Sequence, residues 1–291
     1  MPTVSTTLAD DDGMGTVSYQ WQRDGSDITG ETGTTYTLGD ADVGTVITVI
    51  ATYTDGNSTV ENVTSNSVGP VANVNDAPTG AVTISGTPTE DQTLTASNTL
   101  SDADGMGAVS YQWQRDGADI AGATGNTYTL GDADVGATIT VVASYTDGQG
   151  TNESVASAGV GPVANVNDAP MGTVTISGTP TEDQTLTAGN TLADADGLGV
   201  IGYQWYRDGS AIEGATASSY TVGADDIGGI MSVEATYIDD LGSPERVVSA
   251  QTAVVTNVND APTGEVTISG AAIEDSTLTV GHTLADADGM G

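Results

Sequence analysis

The chain has no cysteine, no lysine and no phenylalanine, and its single histidine is His282. Without cysteine there are neither disulfides nor thiolate metal sites to staple the fold, so rigidity must come from packing or from metal ions held by oxygen. The basic residues are four arginines against 40 acids, a formal net charge of −36. Nucleic acid and anionic membrane surfaces, which are bound by clustered Lys and Arg, are excluded as partners. With one histidine, almost nothing titrates near neutrality and no nucleophile–base constellation is visible, so the chain reads as a non-enzyme. No run of 18 apolar residues is present, and no segment is expected to insert in a membrane. Met1-Pro2-Thr3 lacks the basic start and apolar stretch of a signal peptide, so any export signal is expected outside this chain or already removed.

What is present is a period. Trp21, Trp113 and Trp205 lie 92 residues apart (113−21 and 205−113), each inside a near-copy of V-S-Y-Q-W-Q-R-D-G. Asn75-Asp76-Ala77-Pro78 recurs at 167–170 and 259–262, and Leu8 recurs as Leu100, Leu192 and Leu284. A unit of 92 residues can close its own core. The register predicts repeats over 1–76 (lacking its opening strand), 77–168 and 169–260, then the opening strands of a fourth over 261–291. Since 291 is 3×92 + 15, residues 277–291 re-read the register of 1–15.

Inside one repeat, short alternating or β-branched segments are bounded by Gly, Asp, Asn and Pro, the pattern of an antiparallel β-sandwich. In 77–168 strands are expected near 80–86, 92–100, 108–115, 126–130, 137–146 and 151–163. Val109, Tyr111 and Trp113 share one face, which puts the indole in the core. Arg-Asp-Gly at 23–25, 115–117 and 207–209, and Asp147-Gly148, read as hairpin turns. A strand Trp, then T-Y-T-L, then Asp134-Val135-Gly136 resembles the immunoglobulin-like pattern of C-strand Trp and E-to-F corner, without its cysteine pair. Asp42-Val43-Gly44 and Asp226-Ile227-Gly228 repeat that corner, so acids such as Asp40, Asp132 and Asp225 read better as turn residues than as ligands. The fold class is therefore all-β, tandem Ig-like sandwiches strung like beads.

Acids gather where repeats meet. After each Asn-Asp-Ala-Pro comes a Glu-Asp pair (Glu90-Asp91, Glu182-Asp183, Glu274-Asp275) and then an Asp-x-Asp-Gly loop. Calcium takes six to eight oxygens, and such a loop supplies two carboxylates and a tight bend. The same residues also suit a plain turn whose side chains bond the backbone, and both readings stand. The string N-V-N-D-A-P resembles the linker of cadherin-like repeats in large secreted bacterial surface adhesins of the RTX type. That resemblance implies calcium at each joint. It implies as ligands Asn75, Asp76, Glu90, Asp91, Asp102 and Asp104 at the first joint. Their counterparts are Asn167, Asp168, Glu182, Asp183, Asp194 and Asp196, then Asn259, Asp260, Glu274, Asp275, Asp286 and Asp288.

The first functional reading is an extracellular or cell-surface spacer whose joints calcium stiffens into a rod, with adhesive contacts made by domains not present here. A second is a filament subunit that polymerises head-to-tail, the strand at 264–270 of one copy completing the first repeat of the next. A third, ligand binding by Thr83, Thr93, Thr95, Thr138 and Thr140, is already explained by the preference of Thr for strands.

Overall fold

The computed structural model describes residues 4–286 and 288, and their regular structure is β-strand with three single turns of 3₁₀ helix. The chain divides into two compact units, Met1–Ala164 and Asn165–Gly291. In the first unit, β1 (Ser18–Arg23), β2 (Ser26–Asp27), β3 (Ile47–Thr54) and β4 (Val60–Thr64) form one sheet in the order β2-β1-β3-β4. The same unit then builds a complete sandwich. β5 (Val82–Ser85), β6 (Thr93–Asn98) and β9 (Thr127–Thr129) form one sheet, in the order β5-β6-β9. β7 (Ser110–Arg115), β8 (Ala118–Asp119), β10 (Ile139–Thr146) and β11 (Asn152–Ala156) form the other, in the order β11-β10-β7-β8.

The second unit repeats this plan with β12 (Val174–Ser177), β13 (Thr185–Asn190) and β16 (Ser219–Thr221) facing a sheet of β15-β14-β17-β18. Those four are β14 (Gly202–Arg207), β15 (Ser210–Ala211), β17 (Met231–Ile238) and β18 (Pro244–Val248). A hairpin of β19 (Val266–Ser269) and β20 (Thr279–His282) follows. Every pairing of named strands is antiparallel.

Each sandwich closes over its tryptophan. Trp113 and Trp205 have no exposed surface, and Trp21 keeps 4 %. Around Trp113 stand Val82, Leu94, Leu130, Ile139 and Val141, drawn from both sheets. Burying an indole N–H requires an acceptor. Trp113 Nε1 donates to the Gly125 carbonyl at 2.9 Å, and Trp21 and Trp205 do the same to Gly33 and Ala217. Tyr128 packs against Trp113 with centroids 5.7 Å apart, tilted by 31°.

The Arg-Asp-Gly hairpin follows from its sequence. Arg115 pairs with Ala118, leaving Asp116 and Gly117 as a two-residue loop with φ of 47° and 82°. Two consecutive positive φ angles define the turn that Asp-Gly favours and that matches strand twist. The strand expected over 151–163 ends at Ala156. Beyond it, Val160 still bridges Ile139, but Gly161 turns to φ +137° and Val163 then pairs in parallel with Val135. A strand cannot keep one ladder through that reversal. The outward Thr and Ser of β5, β6 and β9 bond one another, as in Thr83–Ser97 and Thr93–Thr129.

Replacing Trp113 by Ala should destabilise its sandwich by about 3–5 kcal/mol. Urea unfolding followed by circular dichroism checks this, and a change below about 1 kcal/mol would place the indole outside the core energetics.

Candidate metal centre

The charge problem is solved in two different ways. Three of the four arginines serve one buried network, copied in every repeat. The Asp134 carboxylate, 1 % exposed, accepts from Arg115 Nε at 2.7 Å, from the Tyr128 hydroxyl at 2.8 Å and from the Gly131 amide at 3.0 Å. Asp42 meets Arg23 and Tyr36, and Asp226 meets Arg207 and Tyr220. These corner aspartates anchor the fold and are saturated by it. Burial would raise the pKa of Asp42, but the Gly39 N–H, Arg23 and Tyr36 outweigh it and hold the carboxyl below its ordinary value. Burial, with Asp226 as hydrogen-bond partner, pushes the Tyr220 hydroxyl up to about 12. The fourth arginine, Arg246, pairs with Glu234 at 3.0 Å.

Five other buried acids have no arginine beside them. Asp104, Asp147, Glu182, Asp196 and Asp239 are all under 8 % exposed, and each accepts from backbone N–H groups, with the Thr151 side chain adding at Asp147. In the Asp-x-Asp-Gly loops the second acid faces the linker. Asp104 Oδ2 accepts the Asp76 N–H at 2.8 Å, Asp196 Oδ2 the Asp168 N–H at 2.8 Å, and Asp288 Oδ2 the Asp260 N–H at 2.7 Å. The linker asparagines reach sideways, Asn75 Nδ2 to Glu153 and Asn167 Nδ2 to Glu245, each at 2.8 Å. Asn259 Nδ2 turns to the Asp260 carbonyl at 2.9 Å.

The Glu-Asp pairs part company. Glu182 is buried, its N–H bonded to the Thr256 carbonyl and its Oε2 accepting the Val258 N–H. Asp183 is exposed at φ +61°, a left-handed turn position that Asp tolerates. Asp91 adopts the same φ and exposure; Glu274 and Asp275 are exposed too. Glu90 belongs to the opposite end of its sandwich from Asp76: its N–H bonds the carbonyl of Ala164, in the segment that leaves the sandwich after β11. The linker resemblance grouped it with the incoming joint. The reason for the difference is topological, since β5 carries the chain the length of the sandwich before the Glu-Asp turn, and β6 brings it back to the Asp-x-Asp loop.

A joint therefore draws on the sandwich before it, the linker, and the loop after it. In the second unit this assembles Glu182, Asp260 and Asp288, whose carboxylate oxygens lie within 4.8 Å of one another. Two oxygens bound to one calcium are at most about 5 Å apart, given bonds of about 2.3–2.6 Å. At the first joint, Asp76 is pushed up in pKa by Asp40 foremost, with burial, Asp104 and Asp102 adding. Asp40 was read from sequence as a turn residue, and it now faces the linker acid electrostatically. Its register partner in the third repeat is Ala224, so joints differ in their acids.

Two further acids escaped the sequence reading. Asp147 occupies a hairpin turn as expected, and Asp239 the equivalent turn of the next repeat, each Oδ1 accepting two backbone N–H groups. Yet each is about 5 % exposed, and each Oδ2 is buried with no hydrogen-bond partner, as is Asp196 Oδ1. The turn rests directly on the Asp-x-Asp loop, since the Gly148 N–H bonds the Asp104 carbonyl and the Asp240 N–H bonds that of Asp196. A buried carboxylate oxygen without a protein partner is costly, and an ordered water or a hard cation is the kind of group that satisfies it. The sequence did carry a signal: Asp55, Asp147 and Asp239 share one register position while the residues after them vary.

No protein-family model matches the chain, and no curated protein matches it. Among solved structures it is similar to a Ca²⁺-stabilised adhesin that helps an Antarctic bacterium reach out and bind ice. That match has 14 % identity, covers 92 % of this chain and 71 % of the other, and has a TM-score of 0.29. A tetra-tandem repeat from the extending region of a large adhesion protein is 18 % identical over 97 % of this chain and 82 % of the other, at 0.28. Mouse cadherin-23 EC22–24 is 13 % identical over 83 % and 86 %, at 0.30.

The depressed Asp42 carboxyl contributes stability that is fully present above the unfolded pKa of about 4 and is lost as pH falls through the folded value. Arg23→Gln should therefore flatten the acid limb of the stability–pH curve for the first sandwich. Denaturant titrations across the carboxylate range measure this, and an unaltered acid limb would contradict it.

Proposed function

We propose that this chain is a spacer segment of a bacterial cell-surface adhesin, in which calcium bound at the joints fixes each sandwich to the next. The reading is carried by the convergence of Glu182, Asp260 and Asp288, contributed by a sandwich, its outgoing linker and the loop beyond. Without a cation three carboxylates at that spacing repel one another. With one, they share ligands and the linker loses its freedom, so flexible beads become a rod. The buried partnerless oxygens of Asp196 and Asp239 support the same requirement for positive charge. The residues expected to hold the ion at this joint are Glu182, Asp260 and Asp288, and the 92-residue register supplies Glu90, Asp168 and Asp196 as the same residue types. Extracellular modules bind calcium at about 10⁻⁴ to 10⁻³ M, which suits a protein working outside cells. Its role is reach, with no reaction to catalyse, and its contacts are neighbouring repeats.

Calcium titration by calorimetry is expected to give binding in that range, weakened about tenfold or more by Glu182→Gln. Small-angle scattering should show the maximum dimension falling and the profile broadening when a chelator is added. An unchanged profile would remove the stiffening role.

A further inference from the structure

The chain contains ten tyrosines and no phenylalanine, so each of those rings brings a hydroxyl with it. One register position uses that hydroxyl in a constant way. Tyr53, Tyr145 and Tyr237, on the long strands β3, β10 and β17, donate to the first acid of the Asp-x-Asp loop. The partners are Asp10 Oδ2 at 2.9 Å, Asp102 Oδ2 at 2.5 Å and Asp194 Oδ2 at 2.5 Å. The rings belong to the interior: Tyr145 is 5 % and Tyr237 4 % exposed, and Tyr237 is a member of the third core. Burial and the neighbouring acids push the Tyr145 and Tyr237 hydroxyls up in pKa, so they remain donors at neutral pH.

The other oxygen of the first acid is engaged as well. Asp102 Oδ1 accepts the Asp104 N–H at 2.9 Å, and Asp194 Oδ1 accepts the Asp196 N–H at 3.0 Å. With both oxygens held inside the protein, the first acid shapes the loop. The second acid is left to face outward, one oxygen on the linker N–H and, in Asp196, the other buried without a partner. The two acids of Asp-x-Asp thus have different work, although their sequence context makes them look equivalent.

We propose that Tyr145 and Tyr237 are positioning residues that tie cation binding at the Asp-x-Asp loop to the core of the sandwich, so that the ion stabilises the sandwich itself as well as ordering the joint. The proposal rests on the calcium reading given above. Charge-assisted hydrogen bonds behind a ligand set its orientation, and their removal weakens metal binding by about 10–100-fold. The link is mechanical in one direction and energetic in both. An ion that requires Asp196 in place also requires the loop geometry that Asp194 and Tyr237 maintain, and unfolding of the core releases all three.

The test uses the full chain and three forms: the parent, Tyr237→Phe and Tyr220→Phe. Tyr220 makes the same kind of bond to a buried carboxylate, Asp226, but at the corner network and not at the loop. Calcium affinity is measured by calorimetry, and thermal unfolding is followed with calcium and with chelator. Tyr237→Phe is expected to lose about tenfold or more in affinity at one class of site and to shrink the calcium-induced rise in melting temperature. Tyr220→Phe is expected to lower the melting temperature equally in both conditions and to leave affinity unchanged. The chelator melt shows that each variant folds. If Tyr237→Phe binds calcium as the parent does and keeps the full thermal gain, the coupling is overturned. If the parent itself binds no calcium, the joint reading fails along with it.

Discussion

Burying carboxylates in a protein with only four guanidiniums is the constraint from which the rest of this structure follows. Four buried acids, Asp42, Asp134, Asp226 and Glu234, receive an arginine, and no further positive side chains remain to be assigned. The first three of these are the sandwich corners, where Arg, Tyr and Asp close the same network around each tryptophan core. Backbone N–H groups take up Asp104, Asp147, Glu182, Asp196 and Asp239 instead. An N–H dipole offsets part of an anion's desolvation but does not cancel its charge, and two adjacent anions still repel. The repulsion left over is therefore concentrated at the ends of the sandwiches, and not at their corners.

This division explains why one motif vocabulary does two jobs. Asp-Gly makes a tight two-residue turn at Asp116-Gly117 and a linker-facing loop at Asp104-Gly105, and both have the glycine at positive φ. What separates them is the surroundings. Asp116 is exposed and accepts the Thr138 N–H, whereas Asp104 is buried under the linker. The tyrosines divide in the same manner, Tyr128 and its copies serving the corner, Tyr145 and Tyr237 serving the loop. A sandwich of this design is held at its corner by its own guanidinium, while the acids at its ends have no arginine beside them.

Much of the fold was legible because its signals are local. Alternation in 108–115 identifies the strand, Asp116-Gly117 identifies its hairpin, and the period of 92 counts the cores. The candidate site was legible only in composition. The Glu-Asp pair reads as one unit, yet Glu182 is buried against Thr256 while Asp183 is an exposed left-handed turn residue. Adjacent residues on a turn point apart, and no pattern along the chain says which of them meets the joint. Nor does proximity in sequence help, since Glu90 follows the linker closely but lies a strand's length away from it. Asp147 was hidden by a sufficient explanation, because it does cap its hairpin turn with one oxygen while the other is buried.

The sequence by itself determined the all-β class, the repeat length, the tryptophan cores, the hairpin turns and the excess of acids over bases. Each of these depends on residue type, on spacing along one strand or on total charge. Only the tertiary structure decided which acids converge. Glu182, Asp260 and Asp288 come together over a sequence separation of more than a hundred residues, and Tyr237 reaches Asp194 across a sandwich. Convergence of that kind depends on sheet topology, where running up one strand and back along the next carries neighbouring residues to opposite ends and brings distant ones to the same end.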